Sequence, residues 1–374
     1  MKYIIISIFF LHSIVITSFG AEGFFKDYFH DQGYHLSGQK HNDHIKTFLN
    51  YSIEPNFTTT SSFTKNRING TAIDSNGVLL YPDNSPRFRI YYHSGGYFSH
   101  LDDCGGAIAH DRLRTFVANG GSWVGSCAGA GAASLAAYPG GTAMVGVYPH
   151  YYQDRGDRFL SDIKIMDMTH PIAIYYNNFL GYRDSIVDST WFLSGGYFPD
   201  NVDPPYNFTT FLAKSVTPGY SISDKWAIVC YKDTNHINSG RVVLSGAHPE
   251  AGRSYTKKGK FFAAMCKFAA EGNGAPKIKG MLLNNLSRTM NDNTKSGYEK
   301  IGDKQYHHFT VFVPEEAETL EVTIAGETGY DFNLYLKKGG FAFTSNSLKS
   351  ATGLGENKVI ILTKSEGLSK GLWY

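Results

Sequence analysis

The clearest rhythm of apolar and polar positions begins at Phe88. Phe88 to His93 is a short β-type run that stops at Ser94-Gly95-Gly96. Ile108, Leu113, Phe116 and Val117 then fall at helical spacing before Gly120-Gly121, which predicts a helix over Ile108 to Asn119. Ser122 to Gly125 reads as a strand and Ala128 to Ala137 as a helix of small residues. Trp226 to Tyr231 and Arg241 to Ser245 read as strands around a polar turn at Asp233 to Gly240, and Thr256 to Ala270 as a helix. Such alternation predicts an α/β fold, a mostly parallel sheet with helices on both faces. Tyr148 to Asp162 and Pro199 to Tyr220, rich in Tyr, Asp and Pro, read as loops around a pocket.

The rhythm changes at either end. Residues 21–74 are rich in Asn, Thr, Ser and Gly and read as irregular, apart from a short helix near Asp43 to Leu49. Residues 272–279, with Gly272, Gly274 and Pro276, read as a linker. Beyond it, His308 to Val313, Leu320 to Ile324, Asp331 to Leu336 and Lys358 to Leu362 are short β-rich runs between turn formers. Residues 280–374 are therefore expected to form a smaller all-β sandwich module after the α/β domain of residues 75–271.

The first twenty residues have the layout of a secretory signal. Lys2 is followed by an apolar run from Tyr3 to Leu11, and Ser18 and Gly20 are small residues at −3 and −1 before Ala21. The run is broken at His12-Ser13 and is short against the ~20 residues of a membrane helix. A secreted, extracellular or endomembrane-lumen location follows as the expectation, with no membrane span after signal removal. Sequons at Asn50, Asn56, Asn69, Asn207 and Asn285 agree with export, and any that carries glycan must lie at the surface.

Composition narrows the functional classes. With 42% hydrophobic residues among 374, a sizeable core can form. A net charge of +2 argues against an electrostatic nucleic-acid binder. Four cysteines do not make a disulfide-stapled miniprotein; with Cys127 a free thiol, at most one bridge can form among Cys104, Cys230 and Cys266, Cys230 with Cys266 being one choice. The 14 histidines show no zinc-type spacing, so neither metal nor cofactor is expected.

Chemistry concentrates at Gly125-Ser126-Cys127-Ala128-Gly129. This G-x-C-x-G stretch lies between a strand and a helix, the arrangement of a nucleophile elbow with Cys in place of Ser. A thiol at a helix start is favoured as thiolate, and the amide of Ala128 points to where an oxyanion forms. Gly95 and Gly96, after a strand, can present a second amide. His248 in Gly246-Ala247-His248-Pro249-Glu250 stands at a strand end as a base for the thiol, with Glu250 two residues on to orient it. Cys104 has a Gly pair after it but no elbow before it, so Cys127 is preferred.

Gly120 through Gly129 resembles the elbow of class I glutamine amidotransferase-like domains, in particular the amino-terminal domain of some biotin-protein ligases and its stand-alone secreted relatives. Gly77 to Pro82, Pro86 to Arg89, His170-Pro171-Ile172 and Gly195-Gly196-Tyr197-Phe198 are similar to further landmarks of those relatives. The resemblance implies a flavodoxin-like sheet and a Cys127–His248–Glu250 triad. The usual first strand and helix are not visible before residue 75. Tyr330 to Gly339 resembles the centre of the bacterial pre-peptidase C-terminal domain, and the chain stops where that family continues its last strand. No synthase, ligase or biotin-ligase module is read in these residues. The expectation is thus a cysteine-nucleophile hydrolase acting on an amide or peptide-like bond of a small molecule or peptide. The alternatives are a non-catalytic surface-binding protein, touching carbohydrate or a surface through its C-terminal module, and a glutaminase or amidotransferase.

Overall fold

The structure, a computed structural model, describes residues 5–9, 27–30, 41–49, 52–53, 76–95, 106–136, 143–153, 158–200, 209–233, 235–236, 238–272, 274, 277–292, 299–302 and 305–374. The chain separates into two units, Phe24–Leu80 with Pro86–Gly274, and Met1–Gly23 with Tyr81–Ser85 and Ala275–Tyr374. In chain order the first strands are β1 (Ile5–Phe9), β2 (Asp27–His30), β3 (Ser52–Ile53), β4 (Ile90–His93), β5 (Ser122–Ser126), β6 (Arg158–Ile165), β7 (Ile186–Leu193), β8 (Thr209–Ser215), β9 (Trp226–Lys232) and β10 (Arg241–Ser245). The helices are α1 (His41–His44), continued by a π turn at Ile45–Leu49, α2 (Gly106–Ala118), α3 (Ala128–Ala133), α4 (Pro171–Leu180) and α5 (Lys257–Glu271).

The larger unit is a mixed α/β structure around a nine-stranded sheet of order β3-β2-β4-β5-β10-β9-β8-β6-β7. It is parallel from β3 to β10 and antiparallel from β10 to β7. Strand residues point alternately to two cores. Tyr92, Val124 and Val243 join Phe261, Phe262 and Met265 of α5 and Ile172 and Tyr176 of α4. Tyr91, Trp123, Val242 and Leu244 join Leu113 and Phe116 of α2 and Ala130 and Ala132 of α3. Helices therefore cover both faces, as the alternation predicts.

Four stretches differ from their sequence reading. β2 and β3 come from the segment that reads as irregular, and β2 supplies a parallel neighbour for β4. The pocket loops expected at 148–162 and 199–220 in part become strand: β6 starts at Arg158 and β8 spans Thr209–Ser215. From Arg158 to Ile165, side chains alternate outward and inward, with Phe159, Ser161, Ile163 and Ile165 buried, which is the period of a half-covered strand. α3 ends at Ala133 rather than Ala137, because Ser134 turns extended and Leu135 donates its N–H to the His150 carbonyl.

In the smaller unit the strands are β11 (Ile278–Met281), β12 (Arg288–Thr289), β13 (His308–Val313), β14 (Thr319–Ala325), β15 (Leu334–Leu336), β16 (Lys349–Ala351), β17 (Asn357–Thr363) and β18 (Gly371–Trp373). They form sheets β12-β1-β14-β17, β11-β13-β18 and β15-β16. Leu320, Val322, Ile324, Ile360, Leu362 and Trp373 are the heart of its core. The apolar Ile5–Phe9, read in sequence as part of an export signal, lies parallel to β14. Asp83 is buried in this unit, where it accepts hydrogen bonds from Ser85 and Gln305 and pairs with Lys279. Burial alone raises its pKa, but the Lys279 and His307 charges outweigh that and hold it at about 2.

Candidate active site

β5 is buried along its whole length and delivers the chain to Cys127. There the backbone takes φ 52° and ψ −112°, outside the ordinary regions for a residue with a side chain, and α3 starts at the next residue. The turn is pinned from both sides. The Cys127 N–H donates to the Ser245 carbonyl at the end of β10, 2.7 Å away, and the Cys127 carbonyl accepts from Ala130 and Gly131. The flanking glycines are steric requirements. A side chain at Gly129 would collide with the His93 carbonyl, and one at Gly125 would lie 2.5 Å from the Gly129 carbonyl. This is why G-x-C-x-G takes the form it does: strand, turn and helix approach too closely for any Cβ at those two positions.

Parallel pairing of β10 with β5 sets Ser245 beside Ser126, so the chain leaving β10 arrives at the elbow. Three residues later, His248 is anchored by its N–H to the Trp191 carbonyl of β7, and its side chain is fully buried. Nδ1 of His248 bonds the Glu250 carboxylate at 2.8 Å, and Glu250 is equally buried. Nε2 makes no hydrogen bond to the described residues, and Cys127 lies close enough for its charge to act on the ring. The sulfur also lies 3.7 Å from the Leu193 carbonyl oxygen at the end of β7. Burial lowers the His248 pKa, but the negative charges of Cys127 and Glu250 more than reverse this and raise it to about 10. The imidazole is therefore held as the cation at neutral pH.

Tyr92, buried on β4, interacts with both Glu250 and Ser126. Burial and the Glu250 charge push its hydroxyl far above the usual phenol range, so it stays neutral. Gly95 lies directly against the His248 ring, where any side chain would overlap Cε1. It thus makes room for the imidazole, a role its sequence reading as an oxyanion donor did not include. Ala128 is the first residue of α3, and the N–H of a first helical residue has no intrahelical partner.

Cys127, Cys230 and Cys266 are all free thiols, so the Cys230–Cys266 pairing is not made. Burial raises the pKa of both others, with the Glu250 charge adding to it at Cys266, and so they are poor nucleophiles. Cys104, Gly96, Asn50, Asn56, Asn69 and Asn207 lie outside the described residues. Asn285 is exposed at φ 58° in the turn between Leu283 and Leu286. Among the described residues no group of three or more His, Cys, Asp or Glu side chains is arranged to hold a metal ion. No described helix is long and apolar enough to cross a membrane.

The sequence reading missed Tyr92, the Trp191 and Leu193 carbonyls and His44, described below. Tyr92 had one signal, a hydroxyl at an otherwise apolar inward position of β4. The carbonyls had none, since every residue has one.

No family model and no curated protein matches the chain. Among solved structures it is similar to a GMP synthase-like protein from Thermoplasma acidophilum, at 13% identity over 67% of this chain and 98% of that one, with a TM-score of 0.36. It is also similar to a ThuA-like protein from Parabacteroides merdae, at 12% identity over 80% and 99% of the two chains and a TM-score of 0.36. A ThuA-like protein from Bacteroides uniformis gives 10% identity, 66% and 92% coverage and 0.37. Likeness this loose says nothing of chemistry, which must be argued from the side chains.

Proposed function

We propose that the protein is a cysteine-nucleophile hydrolase acting on an amide or peptide-like bond. The observation that carries this reading is the buried His248–Glu250 hydrogen bond beside the strained elbow that presents Cys127. Cys127 as thiolate attacks the carbonyl carbon. The tetrahedral oxyanion is met by the Ala128 N–H, with an amide of Gly95 or Gly96 as the second donor. His248, already protonated, gives its proton to the leaving amine, then takes one from water so that hydroxide releases the acyl group and regenerates the thiolate. Glu250 holds the imidazole in one tautomer and stabilises its charge throughout. No step calls for a cofactor.

The flavodoxin-like description, the pre-peptidase-type β-sandwich and export belong to the same reading. Export is supported by the layout of residues 1–20 and by the exposed sequon at Asn285. Cleavage before Ala21 removes β1 from its place beside β14, so the mass of the chain recovered from a secreting host reports directly on it.

The test is a panel of fluorogenic amides and short peptides, with glutamine included and ammonia release measured. Wild type should hydrolyse at least one member, and Cys127→Ala should reduce that rate by about four orders of magnitude. Retained activity in Cys127→Ala removes the assignment. Wild type inert on the panel, with Cys127 alkylated no faster than Cys230 or Cys266, favours a binding protein.

A further inference from the structure

Glu250 is held by its backbone as well as by its carboxylate. His44, from α1, is completely buried. Its Nε2 lies 3.3 Å from the Glu250 carbonyl oxygen. A carbonyl only accepts, so the Nε2 N–H donates to Glu250. That carbonyl belongs to the short 3-10 turn at Pro249–Ala251, the turn that carries Glu250. The ring meets Phe262 of α5 edge-on, with centroids 5.9 Å apart.

A second observation is independent of that contact. Gly259 stands in the first turn of α5, although glycine is among the poorest helix formers. A Cβ there would lie 2.6 Å from Cε1 of His44 and 2.5 Å from the Arg253 carbonyl. The helix therefore has a glycine where the histidine ring needs the space. The charged groups acting on His44 are Glu250 and Asp43. Burial outweighs them and the Glu250 backbone hydrogen bond and lowers the pKa of the ring, so at neutral pH it serves as a neutral donor.

We propose that His44 is a positioning residue for the triad: by donating to the Glu250 carbonyl it fixes the turn that aims the Glu250 carboxylate at His248. The inference rests on the Cys127–His248–Glu250 reading and extends it to the short helix near Asp43, outside the α/β domain that the sequence reads at 75–271. Loss of the donor loosens the carboxylate, weakens its hold on the imidazolium and lowers the thiolate fraction at Cys127.

The experiment measures iodoacetamide alkylation of the Cys127 peptide by mass spectrometry from pH 5 to 10, on the full chain. Wild type is compared with His44→Gln, which keeps an N–H near the place of Nε2, and His44→Leu, which fills the space without a donor. His44→Leu should alkylate about five-fold more slowly at neutral pH, the size of one hydrogen bond, and reach half its plateau at higher pH. His44→Gln should stay within about two-fold of wild type by the same reasoning. Gly259→Ala, which displaces the ring from the α5 side, should reproduce the His44→Leu profile and carries the comparison if His44→Leu does not fold. A wild-type profile in His44→Leu or Gly259→Ala overturns the proposal, and so does an equal loss in His44→Gln. If Cys127 in wild type is no faster than Cys230 and Cys266, it is the triad reading itself that fails.

Discussion

At Cys127 and His248 the chemistry turns on a competition between burial and charge. A fully buried imidazole ordinarily loses its proton early. Here Cys127 and Glu250 reverse that and raise His248 to about 10. A group whose folded pKa is raised adds stability that is fully present below its unfolded value of ~6.5 and is lost as pH climbs through the folded value. Thermal unfolding of the wild type should accordingly show a melting temperature that falls between pH 6.5 and 10. The slope should flatten in Cys127→Ala, where one of the two raising charges is gone; an unchanged slope would refute the ion pair. Glu250→Gln leaves the imidazolium without its carboxylate. It should cost about 3–5 kcal/mol, the range for breaking a buried pair, measurable by urea denaturation. Its hydrolytic rate should fall by roughly 10²–10⁴-fold, the range for removing support from an acid–base group.

At the level of elements, the site is made where β5 and β10 run side by side and their ends are cut short by turns. Gly129 is the sharpest case. Inside a helix, Gly→Ala normally stabilises by about 1 kcal/mol. Against the His93 carbonyl it should instead destabilise by about 3 kcal/mol, since backbone cannot yield as a flexible side chain does. Chemical denaturation of Gly129→Ala gives the sign directly. The elbow was legible in sequence because steric demand writes itself into residue type: glycines must recur two residues either side of Cys127. The antiparallel β6, β7 and β8 were less so. Their turn-rich surroundings dominate the composition of 148–162 and 199–220, and Ser189 with φ 48° interrupts the alternation within β7.

Across the whole molecule, long-range polar contacts matter as much as local pattern. Asp83 and Lys279 are 196 positions apart, yet they form a buried pair within the smaller unit. Asp83 is held at about 2, below its ordinary 3.8. A depressed carboxylate adds stability above its unfolded pKa that is lost as pH falls through its folded one. Acid unfolding followed by calorimetry should therefore show wild type losing stability from about pH 4 to pH 2, on the carboxylate's own titration range. Lys279→Met with Asp83→Leu should lose less over that interval. An identical acid profile in the double variant would show that the pair does not govern it.

The sequence by itself determined the elbow around Cys127, the spacing that pairs His248 with Glu250 and the alternation that covers both faces of the larger sheet. These depend on residue type at short spacing: glycine beside Cys127, His248 two residues before Glu250, apolar side chains at the periods of strand and helix. Only the tertiary structure decided what surrounds them. It brought His44 to the Glu250 carbonyl, Tyr92 to its carboxylate, the Leu193 carbonyl to the sulfur and Gly95 against the imidazole. Those contacts join positions tens to hundreds of residues apart, and several run through backbone atoms that every residue carries, so no local pattern marks them in advance.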